Sequence, residues 1–330
     1  MHTPELTELI PIPEVWERLD RVEKRLIEAS QADDAFLTEI AQHGLMAGGK
    51  RFRPLLAQLT SEFGPHLDDR AIDAGAAVEL IHLGSLYHDD VIDEAPTRRS
   101  AVSVNANWSN TIAILAGDFL MARASEVAAS TLGQEAVRLL ARTYAELVEG
   151  QTLELQVDHD LNHGPREYYR IIGGKTASLI RTSARLGAMA SDADPGIVEA
   201  VSTWAWELGM VFQITDDALD LVATDGYLGK PAGSDIGEGK FTLPVLLALT
   251  GPDGKRITEL LSVRPYPGEA VAEVIDLVRS GGFVDQALEE ATARTETAQQ
   301  AIAALPNGEA KAVLGRLGTY LLGRVTAARG

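Results

Sequence analysis

The sequences HLGSLYHDDVID at residues 82–93 and MVFQITDDALD at residues 210–220 decide the fold. Each carries the pattern DDxxD inside a stretch that has the apolar periodicity of a buried helix. Carboxylates rarely enter such helices unless they are paired or bind a metal ion. Because positions i and i+4 share one face of a helix, Asp89 with Asp93, and Asp216 with Asp220, each present two carboxylates to one side.

Two facing helices of this kind would enclose a strongly acidic cavity. If they face each other, the cavity holds up to six carboxylates: Asp89, Asp90, Asp93, Asp216, Asp217 and Asp220. Oxygen-only ligands suit a hard cation, and Mg²⁺ commonly bridges carboxylates to the phosphates of a substrate. One such motif alone is more often a solvated helix face or a cap, but two copies in apolar helices favour a metal site.

The composition excludes several classes of protein. The chain has 330 residues and a formal net charge of −19, which argues against nucleic acid as the main partner. It has no cysteine, so disulfides, thiolate metal sites and cysteine nucleophiles are excluded. No uncharged apolar run reaches the length of about 20 residues that a membrane-spanning helix needs. The N-terminus has no signal-peptide pattern, and a cytoplasmic location is expected.

Helical periodicity dominates the whole chain, and no alternation of strands with helices is visible. Composition does not shift along the chain, so we expect one all-α domain over residues 1–330. Helices are predicted at about residues 14–30, 33–47, 52–63, 68–93, 102–130, 134–157, 166–190, 195–224, 241–250, 256–262, 269–280, 283–304 and 308–328.

Polar stripes run along the two motif helices. The first stripe combines Glu79 and His82 with Asp89 and Asp93, since steps of 7 and 11 residues are two and three helical turns. Gln213 extends the second stripe. A polar stripe on an apolar helix faces either solvent or an internal cavity, and the apolar flanks favour a cavity.

Cations cluster in short glycine-containing motifs. GGKRFRP spans residues 48–54, Arg98 and Arg99 follow the first acid motif, and GGKT spans residues 173–176. Lys230 and Lys240 lie in GKPAGSDIGEGKFTLP at residues 229–244. Glycine permits a close backbone approach and Lys or Arg neutralises phosphate, so these motifs indicate a clamp for a diphosphate.

The order and spacing of these motifs resemble those of the trans-isoprenyl diphosphate synthases, the polyprenyl synthetase family. The match covers roughly residues 44–250 and includes GGKRFRP, DDVID, GGKTA, FQITDDALD and EGKFTLP. The resemblance implies long helices around a deep central cavity and, usually, a homodimer. It also implies head-to-tail condensation of isopentenyl diphosphate onto an allylic diphosphate.

The resemblance also implies roles for individual residues. Asp89, Asp93 and Asp216 would hold three Mg²⁺ ions, two on the first motif and one on the second, while Asp90, Asp217 and Asp220 assist. The remaining assignments share contact with a substrate. Arg98, Lys175, Lys230 and Lys240 would contact the allylic diphosphate. Lys50, Arg53, His82 and Arg99 would bind isopentenyl diphosphate. Gln213, Thr176 and the backbone near Lys175 would stabilise the allylic carbocation, and the departing diphosphate would accept the proton.

Product length in this family depends on residues before the first acid motif. Gly84 occupies the position five residues before Asp89, where short-chain members often have Phe or Tyr. Ile81 and Leu80 lie about one turn earlier on the same predicted helix. The absence of a bulky residue at position 84 predicts a product of roughly thirty-five to fifty carbons, suited to a quinone side chain such as that of menaquinone. Twenty-carbon geranylgeranyl diphosphate is the main alternative.

Three other classes remain as alternatives. An HD-type phosphohydrolase needs more histidines placed as ligands, and none lies in the second acid motif. A terpene cyclase has a different second metal motif. A non-catalytic partner subunit tends to lose the acids or the basic pocket that this chain keeps. The acidic balance gives no sign of a basic membrane-binding face. Peripheral contact with a membrane for product release is a further expectation that the sequence does not decide.

Overall fold

The computed structural model describes residues 4–222 and 232–329. Within these residues the fold is almost entirely helical, and the one sheet is a two-stranded antiparallel hairpin in which Thr97 pairs with Val102 and Arg98 with Ala101. The all-α prediction is confirmed. None of the described helices is both long and apolar enough to cross a membrane.

The secondary-structure elements follow one another along the chain with these bounds. The first group is α1 Pro4–Leu9, α2 Pro13–Ala29, α3 Ala35–Met46, α4 Phe52–Ser61, α5 Asp69–Ile92, β1 Thr97–Arg98, β2 Ala101–Val102, α6 Val104–Asn107 and α7 Asn110–Val127. The second group is α8 Gln134–Val157, α9 Pro165–Ile172, α10 Ser178–Ala190 and α11 Pro195–Val222. The last group is α12 Ser234–Glu238, α13 Leu243–Leu249, α14 Gly254–Leu260, α15 Gly268–Ser280, α16 Phe283–Ala301 and α17 Glu309–Ala328.

Contacts divide the described chain into two compact units. The first unit comprises residues 4–144, 179–202 and 305–313. The second comprises the described parts of residues 145–178, 203–304 and 314–329. The sequence-based expectation of one domain over residues 1–330, with the two acid motifs on a common cavity, stays a prediction.

Helix α5 is the centre of the first unit. The side chain of Asp68 caps its N-terminus by accepting a hydrogen bond from the Arg70 amide at 2.9 Å. The helix is buried around most of its circumference and packs on α2, α4 and α7. Its crossing with α7 is close, because a Cβ built on Gly84 would lie 2.9 Å from the carbonyl oxygen of Gly117. A helix packed on several sides holds the polar groups that it carries in fixed positions.

The predicted helix over residues 102–130 is wrong at its start. Residues 101–102 form β2, α6 is a single turn, and α7 begins only at Asn110. Ser109 has an extended backbone, and its hydroxyl accepts a hydrogen bond from the Ile112 amide at 3.2 Å, which starts a new helix. The short helices α1 and α12 were not predicted, and α12 lies in a glycine-rich stretch that was expected to be a loop.

The predicted helix over residues 166–190 is helical throughout but not uniformly α-helical. A π-helical turn, Gly173–Ala177, joins α9 to α10 and contains the GGKTA motif. Here α8 approaches closely, since a Cβ on Gly150 would lie 2.7 Å from the Lys175 amide nitrogen. Single π-turns inside helices are frequent at functional sites, because they change the direction of the side chains they carry.

Candidate active site

The first acid motif lies at the C-terminal end of α5. Asp89 is half-buried, Asp90 is buried and Asp93, the residue that ends the helix, is exposed. The Asp90 carboxylate accepts a hydrogen bond from Arg98 Nε at 2.8 Å and a second from its Nη2. Burial raises the pKa of Asp90, and Arg98 opposes this shift. Asp90 therefore holds Arg98 in this structure, while Asp89 and Asp93 are the more accessible carboxylates.

Two residues that sequence reasoning missed fix the segment that carries Arg98. Asn105 donates from Nδ2 to the carbonyl oxygens of Asp90 and Ala95 at 3.1 and 3.2 Å. Ser103 donates its hydroxyl to the same Ala95 carbonyl. No pattern in the sequence marked Asn105, since its partners are backbone atoms brought close by the hairpin.

A basic cluster in the first unit, called here the cation cluster, brings the cations Arg53 and Arg99 together with His82, as predicted for one diphosphate site. Arg53 donates from Nη1 to His82 Nε2 at 3.2 Å, so that His82 nitrogen is the acceptor. Burial and the charges of Arg53 and Arg99 hold the pKa of His82 well below its usual range, which keeps it neutral. Lys50, the fourth predicted member, is exposed.

Arg53 has an unusual environment for a cation. Its Nε is buried and has no hydrogen-bond partner in the described part of the chain. Burial, and to a smaller extent Arg99, lower the pKa of Arg53 to about 10, while Glu79 acts in the opposite direction. The side chain is therefore still a cation at neutral pH. A buried cation with an unused donor is suited to receive an anion.

The glycines of GGKRFRP bring backbone close to Arg99. Gly49 has a φ of +150°, and a Cβ there would lie 2.3 Å from Arg99 Nη1. Arg99 Nη1 in turn donates to the carbonyl oxygen of Gly48. The glycine at position 49 thus leaves room for Arg99, which is predicted to bind the diphosphate, and the sequence alone did not show this contact.

Arg51, to which the sequence analysis gave no role, is the most thoroughly paired cation of this unit. It is 4% exposed and has a left-handed backbone with φ 49°. It contacts Glu79 at 3.1 Å and Glu23 at 2.5 Å. Glu79 is 1% exposed, and its pKa is raised by burial against the opposing effect of the surrounding arginines.

The second unit contains a chain of hydrogen bonds that joins three predicted residues. Thr176 donates its hydroxyl to Gln213 Oε1 at 2.8 Å, and Gln213 donates from Nε2 to Asp217 Oδ1 at 2.8 Å. Tyr168, which sequence reasoning missed, donates its hydroxyl to Asp217 Oδ2 at 2.5 Å. Burial raises the pKa of Asp217 well above its usual range. One oxygen of Asp217 thus holds the Gln213 amide, and the other is held by Tyr168.

A solvent-open cavity lies beside this network, and its empty space together with the solvent at its mouth is about 760 Å³. Lys175, Thr176, Gln213, Asp217 and Lys240 line it. The Lys175 ammonium forms an ion pair with the carboxylate of Glu154 in the same wall. The remaining lining residues are Val157, Asp158, His163, Tyr168, Ile171, Ile172, Asp235, Phe241 and Thr242.

Of the other predicted residues of the second unit, Asp216 and Asp220 lie near the end of α11, and Lys240 lies between α12 and α13. Asp216 is exposed, whereas Asp220 is buried and accepts from the Asp235 amide at 3.3 Å. Lys240 lies 3.1 Å from Glu238. Lys230 lies outside the described residues.

The described residues contain no ready-made group of three or more His, Cys, Asp or Glu side chains that could hold a metal ion. Asp89 and Asp93, which lie one helical turn apart, nevertheless have the right chemistry for Mg²⁺, and so does exposed Asp216. Mg²⁺ is usually bound by one or two carboxylates together with substrate phosphates and water, and not by a complete protein cage. The donor set therefore fits a metal that arrives with a phosphorylated substrate.

The three predicted chain-length residues are all buried in α5. Leu80 and Ile81 belong to the apolar core of the first unit. Gly84 is directed at α7, because its missing Cβ would meet Gly117, the Met121 methyl at 3.0 Å and Leu120. Gly84 therefore sets the spacing of two helices, and its role in product length stays a prediction.

Comparison with known proteins gives a consistent result. The family model described as polyprenyl synthetase matches residues 34–278. The chain is 40% identical to the nonaprenyl diphosphate synthase of Mycobacterium tuberculosis over 92% of this chain and 91% of that protein. It is 38% identical to the heptaprenyl diphosphate synthase component 2 of Geobacillus stearothermophilus over 92% and 94% of the two chains.

A solved structure agrees with this result. The geranylgeranyl pyrophosphate synthase of Corynebacterium glutamicum, complexed with calcium and isoprenyl diphosphate, superposes with a TM-score of 0.84 at 38% identity and covers 98% of each chain.

Proposed function

This chain belongs to the polyprenyl synthetase family of prenyl-transferring enzymes, and we propose that it condenses isopentenyl diphosphate head-to-tail with an allylic diphosphate. The product is an all-trans polyprenyl diphosphate. The proposed length is about seven to ten isoprene units. A quinone side chain, such as that of menaquinone, is the proposed use.

The observation that carries this proposal is the arrangement of charges along α5. His82 lies in the cation cluster beside Glu79, and Asp89 and Asp93 follow His82 by two and three turns at the end of the same helix. Arg53 and Arg99 supply positive charge beside His82, whereas the end of the helix carries the carboxylates of the acid motif. Two kinds of diphosphate site on one helix, one basic and one acidic, suit an enzyme with two diphosphate substrates.

In the proposed reaction isopentenyl diphosphate binds the cation cluster. Arg53 and Arg99 neutralise its diphosphate, and neutral His82 can donate one hydrogen bond while its other nitrogen accepts from Arg53. The buried, unused Nε of Arg53 is satisfied by a phosphate oxygen. This substrate is held without a metal, because the cluster itself supplies the charge.

The acid motifs carry the allylic substrate in the proposal. Asp89, Asp93 and Asp216 are the proposed Mg²⁺ ligands, for three ions in all, and Asp90, Asp217 and Asp220 support them. When bound, Mg²⁺ neutralises the charge that develops on the departing diphosphate. Arg98, held by Asp90, adds a positive charge to the allylic site. Lys175, Lys230 and Lys240 are proposed to act on the same diphosphate.

Bond changes balance without a strong protein base. The allylic C–O bond breaks, and the diphosphate leaves with the electron pair. The π electrons of isopentenyl diphosphate form the new C–C bond, and the proton lost from the adjacent carbon goes to the departing diphosphate. Gln213 and Thr176 present oxygen atoms that stabilise the carbocation without trapping it, and the Tyr168–Asp217 hydrogen bond keeps the Gln213 amide in one orientation.

Two alternatives are favoured by particular relatives. A twenty-carbon product is supported by the likeness to the Corynebacterium glutamicum geranylgeranyl pyrophosphate synthase. A requirement for a second subunit is supported by the likeness to a heptaprenyl diphosphate synthase component 2. Our proposal is a homodimer in the cytoplasm that acts without another chain, with membrane contact for product release left as an expectation.

A titration separates the two proposed sites. In a calorimeter, isopentenyl diphosphate is expected to bind the purified protein equally well with Mg²⁺ and with a chelator. An unreactive thio analogue of an allylic diphosphate is expected to bind only with Mg²⁺. Asp89→Ala should abolish the second binding and leave the first. If both ligands need the metal, or if neither binds folded protein, the two-site proposal is wrong.

A further inference from the structure

Arg51 and Glu79 form a buried ion pair beneath the cation cluster of the first unit. Their side chains are 3% and 2% exposed, and Arg51 Nη1 lies 3.1 Å from Glu79 Oε1. A buried ion pair seldom adds net stability over an apolar pair of similar volume, so its presence calls for another reason. We propose that Arg51 and Glu79 are positioning residues that hold Arg53, His82 and Arg99 in the geometry that binds isopentenyl diphosphate. This inference rests on the function proposed above.

Arg51 has no donor left for a substrate. Its Nε donates to Glu23 Oε1 at 2.5 Å, and its Nη1 donates to Glu79. Its Nη2 donates to the Leu45 carbonyl at 3.0 Å and to the second oxygen of Glu23 at 3.3 Å. Every nitrogen of the guanidinium is thus engaged by protein. Arg51 acts on the site through its neighbours and is not a ligand.

Gly48 connects Arg51 to the cation cluster. The Gly48 carbonyl oxygen accepts from Arg51 Nη1 at 3.4 Å and from Arg99 Nη1. Arg51 therefore helps to fix the peptide on which Arg99 rests. The same residue directly precedes α4 and has a left-handed backbone, and Arg53 lies in the first turn of that helix.

Glu79 connects the pair to the cluster by charge. It lies one turn before His82 on α5, and it attracts Arg51, Arg53 and Arg99 alike. Arg53 and Arg99 also repel each other, which Glu79 offsets. Without this carboxylate Arg51 would keep its pair with Glu23, but Arg53 and Arg99 would lose a close counter-charge until the diphosphate arrives.

The test compares steady-state kinetics with each substrate varied in turn. For Glu79→Gln we expect KM for isopentenyl diphosphate to rise about 10-fold or more, since one partner of a buried charge pair is lost. KM for the allylic diphosphate should stay within about twofold, because its proposed ligands are elsewhere. If Glu79 were only a nearby negative charge, its removal would instead tighten binding of the anion and lower this KM.

Asp73→Asn is the matched control. Asp73 lies on the same helix, is 6% exposed and pairs with Arg25 Nε at 2.6 Å. Like Glu79, Asp73 is a buried carboxylate paired with an arginine, but it does not contact the cation cluster. It is expected to lower the melting temperature and to leave both KM values unchanged.

Two further variants keep the test decisive if Glu79→Gln does not fold. Arg51→Lys retains the charge but cannot span Glu23, Glu79 and the carbonyls together, so the same selective rise in KM is expected. Glu23→Gln alters a side chain that is 35% exposed, and a smaller rise of about 2- to 5-fold is expected because a neutral hydrogen bond remains.

The outcomes separate this inference from the proposed function. If the folded variants show KM values for isopentenyl diphosphate within about twofold of Asp73→Asn, or equal rises for both substrates, the positioning role is wrong. If the unaltered protein neither binds nor condenses isopentenyl diphosphate, the proposed function itself fails.

Discussion

Gly49→Ala tests whether the glycine pair of GGKRFRP exists to admit Arg99. The new methyl group would lie 2.3 Å from Arg99 Nη1 and 2.7 Å from its Cζ. Ordinary contacts need about 3.5 Å, so the guanidinium must retreat by about 1 Å. The backbone at φ +150° is also a conformation that side chains rarely adopt, which costs about 1–3 kcal/mol.

The two costs fall on different observables. The backbone strain at residue 49 lowers the unfolding free energy. The displacement of Arg99 adds little to this loss, because Arg99 is exposed and can move away without disturbing the core. Displacement of Arg99 removes a charge-assisted contact to the substrate phosphate, which is worth about 1.5–3 kcal/mol. Since about 1.4 kcal/mol corresponds to a tenfold change in affinity, KM for isopentenyl diphosphate should rise about 10- to 100-fold. KM for the allylic diphosphate should not change.

Gly133→Ala is the control for backbone strain alone. Gly133 has a φ of +85°, and a Cβ there meets no atom within 4 Å among the described residues. Diphosphate-release assays and urea denaturation of both variants give the comparison. If Gly49→Ala loses stability but binds isopentenyl diphosphate as Gly133→Ala does, Arg99 is not the reason for the glycine, and the reasoning is refuted.

Three other predictions concern single contacts. Tyr87→Phe removes the hydroxyl that accepts from the Gly44 amide and donates to the Ile40 carbonyl within α3, and should lower the unfolding free energy in urea by about 1–3 kcal/mol. Burial raises the pKa of Tyr87 to about 12 from 10.0. The contribution of the hydroxyl to stability is therefore complete below pH 10 and is lost as the pH rises to about 12. If the difference in unfolding free energy between the unaltered protein and Tyr87→Phe does not shrink over this range, the role given to the hydroxyl is wrong. Gly84→Ala places a methyl group 2.9 Å from the Gly117 carbonyl oxygen and should lower the unfolding free energy by about 1–3 kcal/mol in thermal denaturation. An unchanged melting temperature would show that α5 and α7 can move apart without cost. Tyr168→Phe frees one oxygen of Asp217 and should lower kcat about 10- to 100-fold without changing KM for isopentenyl diphosphate; an unaltered kcat would rule out its part in orienting the carbocation site.

Local signals in the sequence predicted most of the helices. Glycine and proline breaks and apolar periodicity placed α2 to α5, α8 to α11 and α13 to α17 close to their observed bounds, with α9 and α10 expected as one helix. The start of α7 was missed, because its Ser109 cap competes with a helical pattern that continues through it. The π-turn at residues 173–177 was also missed, since periodicity does not distinguish one wide turn from an α-helical one.

The candidate site was predictable where the residue type itself carries the chemistry. The acid motifs and His82 were recognised because polar groups in apolar helices need a reason, and Arg53 because cations beside a glycine pair suit a phosphate. Arg51, Asn105 and Tyr168 were missed, since their roles depend on partners that are distant in sequence or belong to the backbone.

The six aspartates also differ in ways that the motif could not show. Asp90 and Asp217 are buried and bound by other side chains, whereas Asp93 and Asp216 are exposed. The sequence pattern treats all members of DDxxD as equivalent, and only packing separates them.

The most direct test of the central claim is a condensation assay with purified protein, Mg²⁺, isopentenyl diphosphate and farnesyl diphosphate, with products identified by mass spectrometry. The proposed function predicts a ladder of all-trans polyprenyl diphosphates that ends at seven or more isoprene units. A ladder that stops at four units would contradict the proposed chain length, and the absence of any elongation by folded protein would contradict the proposed activity of this chain on its own.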